Sequence, residues 1–372
     1  MGIRALDRRT LARAGDEVAE ICRSTADLAE VLASVSDALR PALQHHGAFL
    51  GVTDPATTVF TTTAVIESLP ETMCAPWMEN EFLVDDVNKF VDLHRNASPA
   101  RTLHRSTGGR PGTSARYVDV NRPAGFGAEL RRTCSVAGAC WGVVHLVREE
   151  SAPDFTDEQV ALVDRVAPVL AEAMRGAART RRVGTPATDP RPGVITLDPR
   201  GHVVSMTDRA TELIGELGHG PIQAGPGADL PGEAYMVATS ARAGALGRPA
   251  PPPWTRLRTR SGHWLTLRGD CSRAPDGTVA STVLVIEPSQ PSEILPLVVA
   301  AHGLTAREQE VLTELASGRA TCEIAARLAI SEHTVRDHVK SLFAKTGTGS
   351  RGELVHQLFT AHSYPRTEFH HR

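Results

Sequence analysis

Between residues 331 and 351 the sequence spaces side chains suited to donating to anions and to paired acceptors. Arg336 carries a planar guanidinium that can give two parallel hydrogen bonds, the geometry of guanine O6 and N7. Lys340, one helical turn later, reaches a base edge or a phosphate. Asp337 accepts, either from cytosine N4 or from a neighbour such as Arg336. Ser331 and Thr334 put hydroxyls and backbone amides at a helix start, where phosphate binds. His333 and Ser341 complete the polar side.

Helices must position these groups. Thr305-Ala-Arg-Glu308 is a capping box opening a helix with Val311, Leu312 and Leu315 inward, and Gly318 can stop it. Cys322 to Leu328 predicts a second helix with Ile324, Ala325 and Leu328 apolar. Ala329-Ile330 is too short for a strand and reads as a turn. Ser331 caps a third helix with Val335, Val339, Leu342 and Phe343 inward, and Ser350 a fourth. Four short helices, the middle two joined tightly, describe a helix-turn-helix domain. His338 falls on the inward stripe as a packed core histidine. Glu308 and Glu323 read as ion pairs holding the fold.

Leu304–Leu312, Glu323–Leu328, Ile330–Val339 and Ser350–Val355 together closely resemble the LuxR/FixJ-type DNA-binding domain, over essentially all of 303–360. The resemblance implies base-facing positions at Arg336, Asp337 and Lys340, and flanking backbone contacts from Lys345 and Arg351. It also implies operator DNA with paired half-sites as partner, a homodimer, and contact with RNA polymerase. Two features depart from the family. Seven Lys/Arg face seven Asp/Glu in 303–360, a neutral footprint, and Ala320-Thr321-Cys322 stands where polar or basic residues are common. Both predict weak binding by one copy, which pairing on two half-sites would repair.

The chain has 372 residues, enough for two or three domains, with a formal charge of -3. Coating nucleic acid by bulk positive charge is excluded; a local site is not. No ~18-residue apolar run crosses a membrane and residues 1–10 lack a signal core, so a cytoplasmic location is expected. Six cysteines without C-x-x-C read as buried, reduced thiols.

Upstream, apolar positions from Leu11 to Leu39 follow a 3.5-residue seam, either one run or two helices split at Ser24-Thr25-Ala26-Asp27. Packing on its own domain and a dimer seam are both open. Gly47–Val52 and Cys140–Val147 read as buried strands. The stretch 92–132 carries eight arginines against Asp92, Asp119 and Glu129, a solvated loop face or an attractor for an acidic ligand. Thr156 and Gln159 form a capping box before a helix with Leu162, Val166, Val169 and Ala173 on one side, which runs into the basic stretch 175–182. From 193 come a hairpin, a helix at 210–217, a loose loop at 218–232, a helix at 233–243 and three antiparallel strands. Pro296 should interrupt any helix at 293–302.

Residues 30–180 resemble a GAF-like sensory domain through Trp141-Gly-Val-Val-His-Leu146, Phe155-Thr156 and the closing helix. Residues 190–288 resemble a PAS-like one through Gly193–Asp198 and the closing strands, with Thr207-Asp208 where Asn often stands. The expectation is a multidomain α+β input (1–180 and 190–290) followed by an all-α four-helix domain (303–362), the input receiving a small ligand or partner. No cofactor is expected. His202, His219 and His263 stand alone, Cys271 lies between strands, and neither His45-His46 nor Cys134/Cys140 makes a metal site. No Walker, G-x-S-x-G or H-E-x-x-H motif occurs, and Gly347–Gly352 joins helices, so no catalysis is expected. The opposing reading is a protein- or ligand-binding module whose helix-turn-helix serves dimerisation.

Overall fold

The computed structural model describes residues 8–24, 27–179, 189–217 and 230–355. The seam at the start is two helices, α1 (Arg8–Ile21) and α2 (Leu28–Leu43), with Asp27 capping the second through the Ala29 N–H at 3.0 Å. Leu11, Ala14 and Val18 of α1 are buried in its own unit. There follow β1 (Gly47–Thr53), β2 (Phe60–Glu67), α3 (Cys74–Leu83), α4 (Phe90–Arg95), β3 (Arg101–Thr102), α5 (Leu103–Ser106), β4 (Phe126–Val136), β5 (Ala139–Glu149) and α6 (Asp157–Arg179). Thr156 and Gln159 close the expected box at the start of α6. The buried stripe of α6 includes Leu162 and Val166, while Val169 and Ala173 lie half-buried at its edge.

Next come β6 (Gly193–Leu197), β7 (Val203–Met206), α7 (Asp208–Gly215), α8 (Gly232–Ala245), β8 (Trp254–Arg258), β9 (Trp264–Arg273) and β10 (Val279–Pro288). Thr207 caps α7 by accepting from the Ala210 N–H at 3.3 Å. The two sheets share one plan. The first runs β2-β1-β5-β4-β3 and the second β7-β6-β10-β9-β8, all antiparallel. In each, an opening hairpin lies beside the last strand of the meander that follows. This is the α+β order expected of the GAF-like and PAS-like stretches. The loop at 218–229 and the basic stretch beyond 179 lie outside the described residues.

The arginine-rich stretch divides: Arg95, Arg101, Arg105, Arg110 and Arg122 are exposed, as a solvated face requires, but two of its arginines are not. Arg116 and Arg131 are wholly buried in the first half. Arg116 grips Glu129 in a two-pronged bond (3.0 and 2.9 Å), gives Asn80 a bond at 3.1 Å, and reaches the Val87 carbonyl. Arg131 bonds Glu81 at 2.9 Å and lies over the rings of Phe90 and Trp77. His145 sits 2.9 Å from Glu129. Burial alone would push the Glu129 carboxyl up, but Arg116 and His145 hold it well below the usual range. Buried ions persist only when paired and hydrogen-bonded in this way. Arg95, Arg105, Arg122 and Arg132 are paired as well.

The two α+β halves form one unit. α8 is buried on all sides, and its sequence has no polar face to spare. It packs against α3 of the first half and against β9 and β10 of the second. Tyr235 donates to Glu79 at 3.0 Å, and the buried Arg256 of β8 grips the buried Asp54 between β1 and β2. One apolar cluster runs from Phe60 and Trp77 through Tyr235 and Val237 to Leu267 and Ile286.

Among the described residues, the second unit holds 178–179 and 289–355. α9 (Pro291–Ala301) continues through Pro296, contrary to expectation. The proline lacks the N–H that would bond the Ser292 carbonyl, and burial of Ile294, Leu297, Val298 and Val299 offsets that loss. α10 (Ala306–Ala316), α11 (Thr321–Leu328), α12 (Glu332–Thr346) and α13 (Arg351–Val355) complete the all-α part. No helix among the described residues is long and apolar enough to cross a membrane. Not all thiols are buried as expected: Cys134 and Cys140 are, whereas Cys322 is exposed, and all six are free.

Candidate nucleic-acid interface

α12 presents the candidate face because its inner side is anchored. Val335 and Leu342 are fully buried, Val339 and Phe343 partly so, and His338 is half-buried beside them. Leu312 and Leu315 of α10 and Ile324 of α11 are buried with them. The turn between α11 and α12 is made by Ala329 in the left-handed region, φ 52°, where glycine is the usual residue. Ser331 then accepts from the Thr334 N–H at 3.1 Å, and the two hydroxyls lie 2.9 Å apart. That cap leaves the first amides of α12 facing outward without helical partners.

The anchored stripe pushes His333, Arg336, Asp337 and Lys340 into solvent. Two pairs span successive positions. Arg336 donates to Glu332 at 2.8 Å, and His333 lies 3.5 Å from Asp337. Asp337 therefore takes His333, not Arg336, as its neighbour. Lys340 makes no bond or ion pair with any described residue. The i, i+4 spacing of Glu332 and Arg336 was the signal in the sequence for a pair that the chemistry of single residues did not suggest.

The other expected residues lie elsewhere. Ser341 donates to Glu308 at 2.6 Å, and Lys345 reaches Glu308 at 2.7 Å and the Gly303 carbonyl at 3.1 Å. Glu308 also accepts the Thr305 N–H at 2.6 Å, closing the capping box of α10. Its burial pushes the carboxyl up, but the bonds from Lys345, Ser341 and Thr305 outweigh this and hold it at about 2. Arg351 gives both its forks to carbonyls, Arg319 and Leu315. Glu308 is thus the expected ion pair, whereas Glu323 is a helix cap for the Ala320 N–H at 2.8 Å.

The neutral charge of this domain resolves into such pairs. Arg307 bonds Glu310, and Glu314 takes both Arg319 and Arg327. Together with Lys345 and Arg351, these cations serve the fold. Arg336 and Lys340 are the two aimed outward from α12.

A family model described as bacterial regulatory proteins, luxR family, matches residues 302–358. Over 54 residues the chain is 54% identical to YhcZ, an uncharacterized transcriptional regulatory protein of Bacillus subtilis, covering 14% of this chain and 25% of that protein. Over 55 residues it is 44% identical to the B. subtilis spore germination protein GerE, covering 15% of this chain and 74% of that protein. The chain spans about a quarter of the length of the first curated relatives it matches. Among solved structures, the phage VqmA–DPO complex is similar at 21% identity and a TM-score of 0.24, over 50% of this chain and 88% of that one.

Proposed function

Because this chain belongs to the luxR family of bacterial regulatory proteins, we propose that it is a sequence-specific DNA-binding transcription regulator whose α12 enters the major groove. The observation that carries the reading is the outer face of α12. A guanidinium and an ammonium stand one turn apart on it, while the other cations of the helical domain are engaged by the fold. Arg336 would read guanine and Lys340 a base or phosphate, with Asp337 and His333 beside them. Ser331 and Thr334 would set the helix start against the backbone. Ser341, Lys345 and Arg351 would act mainly by holding α12 and α13 in place, their backbones near the phosphates.

Two copies on paired half-sites would supply the affinity that a neutral domain lacks. The α+β unit would set the activity of the output in response to a small ligand or a partner, in contact with RNA polymerase at the promoter. The test is selection of genomic DNA fragments by the purified protein beside Arg336→Ala/Lys340→Ala, at two salt concentrations. A paired motif enriched by the wild type and lost by the double variant is the expected result. No enrichment at either salt would favour the reading in which the helix-turn-helix serves protein contact.

A further inference from the structure

The charges of α1 are placed against its own helix dipole. Arg8, Arg9 and Arg13 occupy its start, and Asp16, Glu17 and Glu20 its end, all exposed. Acidic residues are absent from its first turn and basic ones from its last. A lone helix is favoured by the opposite order, anions at the start and cations at the end. The order present is the one an antiparallel neighbour with the same sequence would neutralise.

The surface beside these charges has room for such a neighbour. A groove of about 600 Å³ runs between α1 and α2, lined by Arg13, Ala14 and Glu17 on one side and Ser34, Asp37 and Pro41 on the other. Arg13 and Glu17 make no bond or ion pair with any described residue. A two-fold axis crossing the groove at the level of residue 15 would bring Arg13 of each copy to Glu17 of the other, with Arg9 and Glu20 near one another further out. A self-complementary patch of this kind is what a two-fold interface requires.

We propose that α1 is the contact by which two copies of this chain associate, packed antiparallel along the α1–α2 groove and held in register by reciprocal Arg13–Glu17 pairs. This rests on the two-copy reading above and says where the copies meet.

The experiment is sedimentation of the full chain without DNA, for the wild type, Arg13→Glu, Glu17→Arg and the double swap Arg13→Glu/Glu17→Arg. Each single reversal sets like charges face to face and should weaken association by roughly tenfold or more, and the double swap should restore it. Wild-type association should also weaken as salt rises. A monomeric wild type, single reversals that associate like the wild type, or a double swap no better than the singles would each overturn the proposal. So would a variant lacking residues 1–7 that associates when the full chain does not, since the groove would then belong to the chain's own start. Arg336→Ala/Lys340→Ala should lose the DNA motif and keep the dimer, which separates failure of this proposal from failure of DNA reading.

Discussion

Arg256 and Asp54 stand 202 residues apart in the sequence and share a buried two-pronged pair, with the guanidinium Nε and Nη2 2.6 and 2.5 Å from the two carboxylate oxygens. Each is at most 2% exposed, so neither charge has water to fall back on. Arg256→Ala leaves Asp54 buried and unpaired and should cost about 3–5 kcal/mol in urea unfolding. The paired replacement Asp54→Leu/Arg256→Met should recover most of that loss. Equal destabilisation by the single and the double variant would show that the bond is not what joins the halves.

Arg336 and Lys340 should fail differently. Arg336→Ala should cost about 1–3 kcal/mol of operator binding and relax preference at one base pair. Lys340→Gln, if it meets phosphate, should weaken binding to all sequences alike and reduce the salt slope by about 1. Competition binding on operators altered one position at a time distinguishes the two outcomes.

Glu308 ties the start of α10 to Ser341 and Lys345 of α12. Its carboxyl is depressed in the folded state from 4.5 to about 2. A depressed carboxyl contributes stability that is present above the unfolded value and lost as pH falls through the folded one. Stability of the helical domain should therefore fall between about pH 4.5 and pH 2. Glu308→Gln should be less stable at neutral pH and flatter through that window, read by thermal unfolding at each pH.

Ala329 adopts a left-handed conformation that disfavours any Cβ. Ala329→Gly should raise the stability of the helical domain by about 0.5–1 kcal/mol, as strain relief exceeds the added freedom of the unfolded chain. Chemical unfolding monitored by circular dichroism decides it; a loss of stability would mean that the turn holds no strain.

Local signals in the sequence were the ones that survived. The boxes at Thr156/Gln159 and Thr305/Glu308 involve residues three apart, and both close where they were read. The strands around Phe49 and Val144 and the outward face of α12 follow from apolar periodicity, which is also local. A count of charges does not reveal the burial of Arg116 and Arg131. Arg131 owes its place to Glu81, fifty residues back, and to the rings of Trp77 and Phe90. At Pro296 the packing of α9 outweighs one missing hydrogen bond, which the residue type alone does not show. On α12, the side-chain types marked the exposed positions, but the division between Lys340, free of the fold, and Lys345, bound into it, depends on which way the helix is turned against Glu308.

The burial of α8 between the two α+β halves bears on how the chain leaves the ribosome. At about 5–20 residues per second, Asp54 waits about 10–40 s before Arg256 is made. Through most of that interval the surface formed by β2 and α3 has no α8 to cover it. The nascent first half thus carries bare apolar surface for longer than its own strands need to pair, and that surface offers a holding chaperone a place to bind.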